Sequence, residues 1–224
     1  MSQPKPRRKS DRIAQWQHTL APDGLLPPDW STCVCGDLAI AFEQADAGIS
    51  IRSLYDLRLQ REMLAATPAP LFVITLFNGD DDLPISADAG WGQTELRKAA
   101  GGITLKWSEP LDERLGRLNV WLHATMDAQH HMLNWTMTAT NSLSPCSVRR
   151  VIFPQAALRK FDERAVVFIP SGPGELKRNA WDESWKYDQP YGQAWCSMQF
   201  MAAYAEGAEA GGLYLGAHDP FGSA

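Results

Sequence analysis

The sequence predicts an all-β fold, a large two-sheet antiparallel sandwich with few short helices. Three observations point there. Short apolar runs recur between turn residues at intervals of about 10–15 residues, close to the spacing of strands in sandwiches. Several of these runs alternate apolar and polar residues with period two, and helical patterning is nearly absent. No internal repeat of fixed period is visible, which argues against a propeller or a solenoid. With 224 residues, 45% of them hydrophobic and 21% charged, the chain can bury a real core.

The elements follow in order. The first ~30 residues are polar and carry Pro4, Pro6, Pro22, Pro27 and Pro28, with a short helical possibility around Arg12 to Leu20. A partly ordered N-terminal arm over 1–36 and a sandwich domain over 37–224 are therefore expected. Leu38, Ile40 and Phe42 alternate over Asp37 to Gln44, and Ala47-Gly48 turns the chain into Ile49 to Leu54, a hairpin. Pro70 to Phe77 is a continuous apolar run rich in β-branched and aromatic residues, the mark of a central strand, and Asn78-Gly79 ends it.

Ile103, Leu105 and Trp107 share one face, as do Leu118, Val120, Leu122 and Ala124 on the next strand. His131 to Asn141 alternates Leu133, Trp135 and Met137 against Thr136 and Thr138, and Cys146 to Phe153 is expected to follow it as its partner, closed by Pro154. Ala165 to Ile169, Ala194 to Ala205 and Leu213 to Gly216 complete about eleven strands, with Trp121 or Trp135 among the core aromatics.

Charge and composition exclude several function classes. Twenty-one Lys and Arg against 26 Asp and Glu leave a net charge of −5, no field for a phosphate backbone, and Lys5, Arg7, Arg8 and Lys9 read as a solvated tail. No run approaches the roughly 20 apolar residues of a membrane span, and no apolar segment follows the basic start as in a signal peptide. No nucleic-acid or membrane partner is expected, and the compartment is read as cytoplasmic. Cys33, Cys35, Cys146 and Cys196 are too sparse for a disulfide scaffold, and a reducing compartment keeps them as thiols.

Several motifs, in their order along the chain, carry a resemblance. They are Ile51-Arg52-Ser53-Leu54-Tyr55-Asp56 leading to Pro70-Leu71-Phe72, then Leu133-Asn134-Trp135-Thr136 with Asn141, and Val151-Ile152-Phe153-Pro154. The last are Gln199-Phe200-Met201-Ala202-Ala203-Tyr204 and Gly212-Leu213-Tyr214-Leu215 with Asp219. From about Asp37 to the end the chain resembles the N-terminal β-sandwich of bacterial glycoside-hydrolase-like proteins, a supersandwich shared with galactose mutarotases. The resemblance implies a C-terminal (β/α)-barrel of the same parent protein that carries the carboxylates for glycoside cleavage. A barrel takes roughly 250 residues, whereas this sequence ends at Ala224, so the chemistry is expected to lie outside it.

Sugars pair apolar ring faces with a rim of hydroxyls, so their sites combine flat aromatics with carboxylates and amides. The segment from Trp181 to Gln193 has that mixture, and Trp181, Trp185, Tyr187, Tyr191 and Asp188, together with His218, form the expected substrate-binding set. The competing account is that these rings cover the open end of the sandwich or dock on a neighbouring domain.

Asp182, Glu183 and Asp188 sit among the aromatics, but cleavage needs two carboxyl groups at a set separation, and no catalytic pair is assigned. His123, His130, His131 and His218 are considered as mutarotase acids, and none carries that motif. Cys33-Val34-Cys35 lacks a second ligand pair, and the glycines of Ser171 to Lys177 lack the order of a phosphate loop. No metal or cofactor is expected. Three functions stand side by side: an accessory sandwich domain packing on a catalytic barrel, a stand-alone aldose epimerase, and a non-catalytic carbohydrate-binding module.

Overall fold

The computed structural model describes residues 8–142, 146–187, 198–207 and 211–217. The chain divides into two compact units, Met1–Ala157 and Leu158–Ala224. Among the described residues, no helix is long and apolar enough to cross a membrane.

The first unit opens with α1 (Lys9–Leu20), whose one buried residue is Trp16. Trp16 packs against Ala39, Ala41, Tyr55 and Leu57, with Ile13, Leu20, Trp30 and Val34 closing around it. The surface beneath the helix is a meander of β1 (Trp30–Cys35), β2 (Leu38–Ala45), β3 (Gly48–Asp56) and the two-residue β4 (Arg61–Glu62), paired in that order. Alanines at 39 and 41 leave room for an indole on that face, which is why the helix docks through its Trp.

A second sheet runs in the order β10 (Met132–Ser142), β9 (Arg117–Asp127), β8 (Gly102–Pro110) and β7 (Trp91–Ala99). The third contains β5 (Val73–Phe77) between β6 (Asp82–Ser86) and β11 (Ser147–Ile152). Phe72, Trp91 and Trp107 form the aromatic heart between these two sheets, Phe72 meeting Trp107 edge-on at 4.8 Å. Both indoles spend their N–H on neighbouring carbonyls, Trp91 on Ser86 and Trp107 on Ala87, each at 2.7 Å. Burying a Trp without such a partner would leave an unpaired donor.

The second unit carries one sheet in the order β13 (Glu175–Lys177), β12 (Ala165–Ile169), β14 (Phe200–Ala205) and β15 (Gly212–Gly216). Phe168 stacks on Phe200 at 5.1 Å, and Phe200 lies 5.3 Å from Tyr214, so one aromatic column crosses β12, β14 and β15.

The all-β class holds, but the two-sheet sandwich, and with it the mutarotase-like supersandwich, does not. The described strands form four small antiparallel sheets of three or four strands, three in the first unit and one in the second, and not two large layers. Absence of a sequence repeat therefore did not exclude a partition into small sheets. The expected pairing of β10 with Cys146 to Phe153 fails in an instructive way. β10 pairs along its full length with β9, while β11 leaves for β5 in another sheet. Alternation shows which side of a strand faces the core, but it does not show which strand lies alongside.

The core aromatics also differ. Trp121 lies half-buried on the outward face of β9, and Trp135 is half-buried between Phe42 and Phe153. Trp16, Trp91, Trp107, Phe42 and Phe72 are the largest fully buried rings.

Candidate functional site

The aromatic segment expected to bind sugar is fastened to backbone carbonyls of the second unit. Trp181 donates from Nε1 to the Leu158 carbonyl at 3.0 Å and meets Phe161 edge-on. Trp185 donates to the Ala180 carbonyl at 2.9 Å, and the Tyr187 hydroxyl donates to the Pro170 carbonyl at 3.2 Å. An indole has one donor and no acceptor, so both tryptophans have spent their polar handle. All three rings are half-buried, and they fasten to three different stretches of backbone. Lys160 bridges Glu163 and Asp182 beside them, and Asn179 donates to Glu183. Asp188, Tyr191 and His218 lie outside the described residues.

Of the described histidines, His18 stands in the last turn of α1, and the other three make local contacts. His123 Nδ1 lies 2.9 Å from Thr104 Oγ1 on the outward face of the second sheet. His130 Nδ1 meets Asp127 Oδ2 at 2.7 Å, and the bonds from His130 hold the Asp127 carboxyl below its ordinary pKa. His131 Nδ1 accepts from the Asp37 backbone N–H at 3.1 Å, and its ring fills the space over Gly36, where any Cβ would come within 2.4 Å of it. Gly36 sits at φ +60°, the left-handed region that suits glycine.

Cys33, Cys35 and Cys146 are buried. Cys33 Sγ lies 3.4 Å from Met126 Sδ, and Cys35 donates to the Met132 carbonyl at 3.0 Å, so β1 is fastened to the β9–β10 hairpin through sulfur. Among the described residues, no group of three or more His, Cys, Asp or Glu could hold a metal ion.

Elsewhere in the first unit, where the end of the β1–β2 ladder meets β7 and β8, an open cleft of about 900 Å³ is found. Asp29, Gln44 and Asp46 stand on one wall, and Gln93, Glu95 and Lys106 on the other. Two hydrogen bonds hold the walls together at the base: Gln44 Nε2 donates to the Thr94 carbonyl at 2.8 Å, and Thr94 Oγ1 donates to the Ala45 carbonyl at 3.3 Å.

Glycines permit this close approach. A Cβ on Gly48 would fall 2.2 Å from the Asp88 carbonyl carbon, and one on Gly92 would fall 2.8 Å from the Glu109 carbonyl oxygen. Glu95 pairs with Arg97 alongside. The cleft thus offers an ammonium, amides and carboxylates to a ligand, a set for hydrogen bonding to hydroxyls.

None of these cleft residues was picked out in the sequence. Gln44 and Asp46 flank a hairpin turn, and Gln93 and Glu95 lie on β7, whose mostly exposed run WGQTELRKA shows no clear alternation. Comparison with family models, with curated proteins and with solved structures finds no match to this chain.

Proposed function

We propose that this chain is a non-catalytic recognition module of a carbohydrate-active protein, taking a hydroxyl-rich sugar ligand in the cleft between β1–β2 and β7–β8. One observation carries the reading: opposite walls present Gln44, Asp46 and Asp29 against Gln93, Glu95 and Lys106 across an open space large enough for sugar rings. Pockets that fix a polar ligand do so with a few convergent polar groups, and this cleft has them. The histidines an epimerase would need do not line it: the described ones lie in the last turn of α1, at Thr104, at Asp127 and over Gly36.

Service beside a catalytic barrel of the same parent protein is the rest of the proposal, and it stands on motif order alone and not on fold. The proposed compartment is the cytoplasm, where the thiols of Cys33 and Cys35 would stay reduced.

Isothermal titration of the chain with a panel of neutral oligosaccharides tests the reading. The expected result is affinity near the weak end, Kd on the order of 1 mM or tighter, weakened when Gln44 or Asp46 is changed to Ala. Absence of heat across the whole panel, or binding indifferent to both substitutions, overturns it.

A further inference from the structure

The lining of the cleft ends at β8, with Lys106 and Ser108, but the sheet runs on beyond it. Lys106 and Glu95 belong to a register row that continues across the outward face of the second sheet: Glu95 lies opposite Lys106, Lys106 opposite Trp121, and Trp121 opposite Thr138. A parallel row beside it runs Arg97, Thr104, His123, Thr136. The opposite face of the same strands is core: Leu105, Leu118, Val120 and Leu122 are all fully buried. The outward face is open, with His123, Thr125, Thr136 and Thr138 exposed and Trp121 half-buried between its neighbours.

We infer that the ligand is an extended, uncharged, linear glycan that leaves the cleft and crosses this face perpendicular to the strands, with one ring stacked on Trp121. The inference rests on the sugar-binding reading of the cleft and specifies its ligand. Three features support it. Strands lie about 4.8 Å apart, so four of them span about 14 Å, room for a short run of sugar rings at about one per strand. The outward positions of β9 and β10 around the tryptophan are hydroxyls and amides, Asn119, Thr125, Asn134 and Thr138 among them, which suit neutral hydroxyls on both sides of a ring.

Charge points the same way. A polyanion would meet Asp29 and Asp46 in the cleft, and a polycation would meet Lys106 there. An extended peptide is less well served, because it gains most from the free N–H and C=O groups of a sheet edge, and on this face those groups are already paired within the sheet.

The test is calorimetry or ligand-observed NMR with glucose, xylose and mannose and their linear polymers of increasing length, on the whole chain and on Trp121→Ala, Trp121→Phe and Gln44→Ala. Affinity is expected to rise with length until the sheet is spanned and then to level off. Trp121→Ala should weaken the longer oligomers by about tenfold, within reach of a single aromatic stacking contact, and leave monosaccharide binding unchanged, while Trp121→Phe keeps part of the gain.

If affinity is independent of length and Trp121→Ala is silent while Gln44→Ala abolishes binding, the ligand stays in the cleft: this inference falls and the module reading survives. Self-association that Trp121→Ala removes, with no glycan bound, makes the face a protein interface and overturns the inference. Circular dichroism of each variant establishes that it is folded.

Discussion

The indole N–H of Trp16 donates to the hydroxyl of Ser53 at 3.0 Å, both residues being fully buried, and this bond fastens the N-terminal helix to the first sheet. The hydroxyl does not stop there. It donates onward to Glu62 Oε2 at 2.6 Å, while Glu62 Oε1 accepts from the backbone N–H groups of Leu54, Met63 and Leu64. One serine thereby connects α1, β3 and β4, and its removal would strand a buried donor.

Ser53→Ala is expected to cost about 1–3 kcal/mol, the penalty of an unsatisfied buried polar group, read as a lower urea midpoint for the first unit. Trp16→Phe removes the donor, so Ser53→Ala made in that background should cost less than it does alone. Equal costs in the two backgrounds would show that the bond is not what couples helix to sheet.

The cleft depends on backbone contact at Gly48. Ile49 N–H donates to the Ala87 carbonyl at 2.7 Å and Trp91 N–H to the Ala47 carbonyl at 3.2 Å, drawing the β2–β3 turn onto the start of β7. With the Asp88 backbone only 2.2 Å from where a Cβ would stand, Gly48→Ala forces these segments apart. Overpacking of this kind costs roughly 1–3 kcal/mol. Loss of oligosaccharide affinity should accompany it, since the turn carries Asp46. A variant as stable as the parent would mean that the turn relaxes freely.

What the sequence made legible was local. Ile103, Leu105 and Trp107 were assigned to one face by period two alone, and all three are buried in the structure. The β2–β3 hairpin was likewise readable from Ala47-Gly48 between two apolar runs. Strand pairing was not legible, because β11 finds β5 across the intervening second sheet, and no residue of Ser147 to Ile152 encodes that partner by pattern. The edge strand β7 was missed since its polar residues face water on much of its length. Of the candidate site, the sequence points to aromatics among amides and carboxylates at Trp181, Trp185, Tyr187, Asp188, Tyr191 and His218; the first three donate to backbone carbonyls, and the other three lie outside the described residues. All of these but His218 stand out because they are near neighbours in the chain, whereas the cleft is assembled from Gln44, Asp46, Gln93 and Glu95, which only folding brings together, and no aromatic ring lines it.

Alkaline stability reports on the thiols between β1 and the β9–β10 hairpin. Burial pushes Cys33 and Cys35 above the ordinary thiol pKa, Lys98 partly opposing this at Cys33. Tyr55 is raised by burial and further by Glu62 and Asp56. The unfolded chain ionises its thiols near pH 8.5 and tyrosines near pH 10, while the folded protein holds these protons to higher pH. Above about pH 8.5 the unfolded state therefore binds fewer protons than the native state, and stability falls as pH rises. The contribution is complete below that pH and is lost upward through the folded pKa values. The urea midpoint should decline from about pH 8.5, and Cys33→Ala with Cys35→Ala should flatten the first part of that decline. An unchanged slope in the double variant would assign the loss to other groups.

The two aromatic sites make opposite predictions. If Trp185 and Tyr187 serve to fasten their segment to the Ala180 and Pro170 carbonyls, then Tyr187→Phe removes one hydrogen bond and lowers the stability of the second unit by about 1 kcal/mol, with glycan affinity unchanged. Trp185→Phe should cost somewhat more stability, since the indole N–H is lost and the smaller phenyl ring also packs less surface, with glycan affinity again unchanged. Trp121, by contrast, lies half-buried on the outward face opposite Lys106 and Thr138, so its truncation should move affinity far more than the urea midpoint. Measuring both quantities on all three variants separates fastening rings from a recognition ring. Loss of sugar binding on Tyr187→Phe or Trp185→Phe would return the site to the second unit.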